Sequence, residues 1–248
     1  MELIPVLDLS EGIAVHARGG DRTSYSPVHS ALSPGHDGEA LYLARQYREQ
    51  LSATQCYVAD LDALTGGPRQ LDLLGRLAHL PEGFGPGLMV DSATSDLSGA
   101  RSVLATGART LVVALETLAG RPPLVELLAE LGSERLLVSL DLKAGRPIVP
   151  TDSEWTRHSD PIELAAELVR LGVARLLVLD LALVGKNQGP PFDVIHDIRA
   201  RLPDIELLAG GGIRDLSDLE RLKSLGVRGA LVATALHDGR LGRYMARR

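Results

Sequence analysis

Four aspartates punctuate this chain in one recurring context. Each ends a short, largely apolar run and precedes a leucine: Val6-Leu7-Asp8-Leu9, Val58-Ala59-Asp60-Leu61, Ser139-Leu140-Asp141-Leu142 and Val178-Leu179-Asp180-Leu181. A carboxyl at the end of a strand either caps the following loop, pairs with a neighbour, or stands ready to move protons. Two carboxyls facing each other across a pocket can divide the work, one as base and one as acid. A second chemical signal is the triad Gly210-Gly211-Gly212. Residues without side chains let backbone N–H groups approach an anion closely, and the run Val232-Ala233-Thr234 reads as a helix start of similar character. A tight turn of small residues is the alternative for the triad.

The elements that must position these groups are short apolar runs alternating with amphipathic stretches. Strands are expected at 3–7, 55–59, 87–90, 110–114, 136–140, 175–179, 205–209 and 229–233. Most are apolar throughout, as for strands covered on both faces. Between them, 38–51 and 160–171 carry apolar residues at helical spacing, and 98–106 and 217–225 each end at a glycine suited to a C-cap, Gly107 and Gly226. Eight βα units in 248 residues imply an α/β fold of one kind, a closed (β/α)8 TIM barrel, which typically needs about 250 residues. A doubly wound open sheet is disfavoured, because no glycine fingerprint follows the first strand.

The chain also repeats itself. Asp96 maps to Asp215, Leu97 to Leu216, Gly107 to Gly226 and Ala114 to Ala233, each 119 residues later. The first and fifth strands both end in Asp, as do the second and sixth. This order implies a single barrel over 1–248 made of two half-barrels, about 1–121 and 122–248. Asp8 and Asp141 then lie four strands apart, facing each other, and are the expected proton-transfer pair. The loops after strands seven and eight are the recurring phosphate site of such barrels, so Gly210, Gly211, Gly212, Ala233 and Thr234 are expected to hold a phosphate. Asp60 and Asp180 are expected beside the substrate.

The equivalent place in the first half is different. Asp91, Ser92 and Ala93 replace the glycines, and Glu116 follows the fourth strand. Two carboxylates stand where a second phosphate would sit, and like charge at close range disfavours a dianion. That half is expected to take a cationic or hydroxyl-rich group, or nothing, unless one carboxylate points away. Trp155, the only tryptophan, lies in a polar loop and is expected either to stack on a flat ligand or to plug the barrel rim. Lys186 could hold an anion or be solvated. His16 and Arg18 lie in the first loop, within reach of a ligand.

Composition bounds the rest. The chain is 45% hydrophobic but only 3% aromatic, so aliphatic side chains must fill the core. A net charge of −6 and a pI of about 5.7 argue against nucleic acid or an anionic membrane as partner. The single cysteine, Cys56, excludes an internal disulfide and a thiol-rich metal site and is expected to be a buried structural thiol. The histidines show no metal-ligand spacing on one helix face. The opening MELIPVLDLSEG lacks a signal-peptide pattern and no apolar run approaches a membrane span, so a cytoplasmic protein is expected, a monomer or small homo-oligomer.

The sequence resembles the histidine-biosynthesis barrel family over Ile4 to about Leu241. The points of resemblance are Ile-Pro-Val-Leu-Asp-Leu ending at Leu9, Ser-Leu-Asp-Leu-Lys-Ala-Gly at Asp141, Gly-Gly-Gly-Ile-Arg-Asp at Gly210, and the ordered half-repeat. The family holds the ProFAR isomerase and the cyclase half of imidazole glycerol phosphate synthase. Thr23-Ser24-Tyr25 and Trp155 look like isomerase features. The resemblance implies an Amadori rearrangement of a phosphoribosyl aminoaldose, with Asp8 as general base, Asp141 as general acid, one phosphate at Gly210–Gly212 and no metal or organic cofactor. It also implies a glycine-rich site in each half, an arginine where His16 stands, and Asp-Gly-Thr where Val184-Gly185-Lys186 stands. The expected protein is therefore a ProFAR-isomerase-like enzyme on a changed, phosphorylated small-molecule substrate. Two alternatives are a paralogue in one-carbon coenzyme biosynthesis of the methanopterin or methanofuran type, and a non-catalytic binder of a phosphorylated metabolite.

Overall fold

The computed structural model describes residues 1–16, 25–81 and 84–241. The expectations on Arg18, Thr23 and Ser24 fall outside them. In chain order the strands are β1 Glu2–Ser10, β2 Ile13–Val15, β3 Cys56–Asp60, β4 Leu88–Asp91, β5 Thr110–Ala114, β6 Leu136–Lys143, β7 Arg146–Pro147, β8 Arg175–Asp180, β9 Glu206–Gly210 and β10 Gly229–Val232. Eight of them pair in parallel in the order β1-β3-β4-β5-β6-β8-β9-β10. The pairing of β10 with β1 closes the ring into a (β/α)8 TIM barrel. β1 and β6 stand four strands apart whichever way the ring is followed.

The strand runs read from the sequence correspond to these eight. β2 and β7 were not expected. Each folds back on the preceding strand through a two-residue turn, pairing Ser10 with Ile13 and Lys143 with Arg146. Both turn residues have positive φ in each case: Glu11 (50°) and Gly12 (83°), Ala144 (53°) and Gly145 (77°). That is the tight-hairpin geometry in which glycine is favoured, and it matches the twist of the flanking strands. The two hairpins sit at equivalent points of the two half-barrels.

The main helices are α1 Ala40–Leu51, α2 Leu61–Leu64, α3 Leu71–Ala78, α4 Leu97–Leu104, α5 Arg121–Leu131, α6 Pro161–Arg170, α7 Phe192–Arg201, α8 Leu216–Ser224 and α9 Thr234–His237. The repeated aspartates prove to be N-caps. Asp96 accepts from the Gly99 N–H at 2.7 Å, and Asp215 from Ser217 and Asp218 at 2.9 and 3.3 Å, satisfying donors that a helix start leaves open. Among the described residues no helix is long and apolar enough to cross a membrane.

Side chains alternate across each strand. One set, with Leu7, Val58, Val90, Val138 and Val178, packs outward against the helices. The other, with Ile4, Tyr57, Met89, Val112, Leu177 and Leu208, fills the barrel interior. Cys56 belongs to the outward set and is fully buried; burial pushes its thiol well up, so it is a packing residue.

Candidate functional site

The same alternation sorts the strand-end carboxyls. Asp8 has the parity of Ile4, Asp91 that of Met89, and Asp141 that of Leu137, so all three point inward. Together with Glu116 they line a cavity of about 150 Å³ at the C-terminal mouth of the barrel. Asp60 and Asp180 have the parity of Val58 and Val178 and point outward. Neither lines the cavity, so the structure corrects the expectation that they sit beside the substrate.

Both outward aspartates organise the rim instead. Asp180, buried at 3% exposure, accepts from the Ala144 and Gly145 N–H groups at 3.2 and 2.8 Å, and from Ala182 at 2.9 Å. It thus grips the β6–β7 turn from the neighbouring strand. In the first half, Asp62 accepts from the Glu11 N–H at 3.0 Å, and the Gln70 side chain accepts from Gly12 at 2.8 Å. Asp60 orients Gln70 by accepting from its amide N–H groups, 2.7 Å to the backbone and 3.1 Å to the side chain. Removing a buried acceptor leaves its donors unsatisfied. Asp180→Ala is therefore expected to cost about 3 kcal/mol in urea unfolding, against about 1 kcal/mol for the half-buried Asp62→Ala. Equal losses would contradict this assignment.

The proton-transfer pair differs in surroundings. Asp141 is buried, and the Ser139 hydroxyl donates to it at 2.7 Å. Burial raises its pKa, the Ser139 bond opposes the rise and the Glu116 charge adds to it; the result is about 7. A carboxyl with that affinity holds a proton near neutrality and can deliver it. Asp8 is half-buried, across the mouth on β1.

Asp91 is also buried. The Tyr57 hydroxyl donates to its Oδ2 at 3.1 Å, while Oδ1 has no partner among the described residues. Burial and the nearby Asp141 charge push its pKa up to about 8, against the opposing pull of the Tyr57 hydroxyl and the Ala93 backbone N–H. Tyr57 and Ser139 were not anticipated as site residues; Tyr25, of the Thr23-Ser24-Tyr25 run, lines the cavity. Tyr57 was legible as the inward neighbour, two positions before Ala59, on the strand beside Asp91.

At the second-half end, Gly211 and Gly212 line the cavity with φ of 85° and 74°, a left-handed conformation that favours glycine. A Cβ at Gly212 would lie 2.8 Å from the Gly189 carbonyl oxygen. Ala233 and Thr234 lie beside them, and His16 Nε2 is 3.1 Å from the Thr234 hydroxyl. Gly210 stays within β9 and does not line the cavity. Lys186 is exposed and outside the lining, although Gly185 and Asn187 line it. Trp155 is fully buried in the outer core and does not line the cavity.

The first-half loop keeps the backbone shape without the glycines. Ala93, equivalent to Gly212, has φ 52°. Ser92 is buried, with its hydroxyl 3.5 Å from that of Thr94. Arg69 holds this loop by donating to the Ser92 and Ala93 carbonyls at 3.0 and 3.1 Å. In the second half the Gly189 backbone N–H does the equivalent work, donating to the Gly212 carbonyl at 2.9 Å.

Comparison with known proteins agrees with this geometry. The profile of the histidine biosynthesis protein family matches residues 2–242. An uncharacterised protein of Methanocaldococcus jannaschii is 30% identical over 96% of this chain and 94% of its own length. The 1-(5-phosphoribosyl)-5-((5-phosphoribosylamino)methylideneamino)imidazole-4-carboxamide isomerase, or ProFAR isomerase, of Thermus thermophilus is 31% identical over 97% of this chain and 96% of its own. That of Streptococcus sanguinis is 29% identical over 97% and 95%. With a matching family profile over nearly its whole length and inward aspartates on opposite strands, the chain belongs to the histidine biosynthesis protein family.

Proposed function

We propose that this protein is an isomerase that moves a proton within a phosphorylated, sugar-linked metabolite, and that this metabolite differs from the substrate of the ProFAR isomerases. The reading rests on one observation: Asp8 and Asp141 face each other across a single cavity whose two ends differ. Backbone at Gly211, Gly212, Ala233 and Thr234 forms one end, and Asp91 and Glu116 lie at the other. In an aldose–ketose rearrangement of an aminosugar, a carboxylic acid delivers a proton to the ring oxygen as the ring opens. A carboxylate then takes the proton from C2 of the resulting protonated imine, giving an enolamine, and a proton returned to C1 with loss of the 2-hydroxyl proton leaves the aminoketose. Asp141, proton-bearing near neutrality, suits the first step, and Asp8 the second.

The name of the ProFAR isomerase substrate carries two phosphoribosyl groups. Here only one end of the cavity is suited to a phosphate, since Asp91 and Glu116 at the other supply no positive charge to a dianion and repel it whenever they are ionised. The test is direct. ProFAR is mixed with the purified protein and the absorbance followed; no turnover is expected, and robust turnover would sink the changed substrate. A crystal soaked in phosphate is expected to show one anion, at Gly211 and Gly212. Anions at both ends would refute the single-phosphate reading.

A further inference from the structure

The first-half end of the cavity is a rebuilt pocket rather than a damaged phosphate site, as the half-repeat shows. Asp91 is equivalent to Gly210. A Cβ at Gly210 would lie 3.0 Å from Leu231 Cβ and 3.2 Å from Leu179 Cδ1, so two leucines close the space over that glycine. Their first-half equivalents are Val112 and Ala59. These are the residues paired with Asp91 on the two neighbouring strands. Ala59 lacks the branch that crowds this point in Leu179 and leaves room for the Asp91 carboxyl. The equivalent of Leu177 is Tyr57, whose hydroxyl fixes Asp91 Oδ2. Thr234 of the phosphate end is replaced by Leu115, which is fully buried. Ala59 and Tyr57 thus work together to seat one carboxyl.

That carboxyl is only 5% exposed and lines the cavity, and its Oδ1 has no hydrogen-bond partner among the described residues. A buried polar atom without a partner in a ligand cavity calls for a donor from the ligand. Glu116 lines the same end, and a cation seated beside Asp91 would hold that buried carboxyl in its ionised form, so a positively charged donor is favoured over a neutral one. No three His, Cys, Asp or Glu side chains among the described residues converge closely enough to hold a metal ion, so the donor is an organic nitrogen.

We propose that Asp91 receives a protonated amine or amidinium group, so that the substrate carries one phosphate and one cationic nitrogen at opposite ends. This rests on the phosphate placement at Gly211 and Thr234. The test is a calorimetric titration of the full chain with short ω-aminoalkyl phosphates, the matching ω-hydroxyalkyl phosphates, the alkane bisphosphates and inorganic phosphate. The best aminoalkyl phosphate is expected to bind about tenfold more tightly than its hydroxyl counterpart, and more tightly than the bisphosphate. Asp91→Asn is expected to bring the two monophosphates to within about twofold while inorganic phosphate binds as before. Asp91→Gly, which copies the second half, serves if the asparagine variant does not fold. Equal binding of amine and hydroxyl compounds by the native chain would overturn the proposal, as would a preference for the bisphosphate or an amine preference that survives in the variants. If inorganic phosphate itself does not bind, the phosphate placement fails separately. 1,4-Diaminobutane against 1,4-butanediol then reads the acidic end alone, and no preference for the diamine overturns the proposal.

Discussion

Asp8→Asn and Asp141→Asn are each expected to lower turnover of the true substrate by between about 10² and 10⁴-fold, the usual range for removing a positioned acid or base. Affinity for inorganic phosphate should not fall in either variant, because an aspartate carboxylate supplies no donor to an anion at Gly211 and Thr234. The two variants should differ in their pH profiles. Asp141 acts as the proton-bearing form, and its pKa is about 7. Turnover by the native chain should therefore decline as pH rises through that value. In Asp141→Asn the residual activity should lose this alkaline limb, whereas Asp8→Asn should keep it. Undiminished turnover in Asp8→Asn would remove the base assignment. An unchanged alkaline limb in Asp141→Asn would remove the acid.

The second large effect is on stability. Asp91 has its folded pKa raised to about 8, from an ordinary 3.8. Below 3.8 the carboxyl is protonated whether the chain is folded or not, so it contributes no dependence there. Between 3.8 and about 8 the folded chain binds the proton more tightly than the unfolded chain, and stability falls as pH rises. Above about 8 both forms are ionised and the loss is complete. A tenfold change in proton affinity is about 1.4 kcal/mol, so even half of this displacement makes a fall of roughly 3 kcal/mol across the window. Asp141, at about 7, acts in the same direction over 3.8 to 7. Asp91→Asn carries no titrating group and should flatten much of this slope, becoming more stable than the native chain at pH 8. Urea unfolding at a series of pH values measures it. If the native chain is as stable at pH 8 as at pH 5, or the variant keeps the full slope, the burial argument for Asp91 is wrong.

The barrel was legible because eight strand runs, apolar on both faces, left few other ways to bury them. The repeat then placed Asp8 opposite Asp141 without any knowledge of contacts. What it could not do was separate Asp8 and Asp141 from Asp60 and Asp180. All four end strands in the same local pattern, and a strand that is apolar throughout does not announce which face is inward. The answer lay one level up, in register: each inward aspartate sits an even number of residues from an interior residue of its own strand, Asp8 from Ile4, Asp91 from Met89 and Asp141 from Leu137. The two hairpins were missed because their second strands are only three and two residues long. Their signal was local, a glycine at Gly12 and Gly145 after a polar or small residue. Trp155 and Lys186 show the opposite failure. Residue type left ligand contact and a bland role equally open; the first packs into the core and the second extends into solvent, and neither outcome is encoded in a short window.

The grip of Asp180 on the β6–β7 turn has a consequence for how such a barrel can change its chemistry. The strand that ends in a reactive group on its inner side is secured by its neighbour from the outer side, and the first half does the same through Asp62 and Gln70. Anchorage and reactivity therefore occupy opposite faces of one sheet, a single residue out of phase. An inner-face residue at the mouth can be replaced, as Gly210 and Asp91 differ between the halves, without loosening the rim that keeps the loops in place. Selection can then rewrite what enters the mouth while the frame beneath it stays as it was.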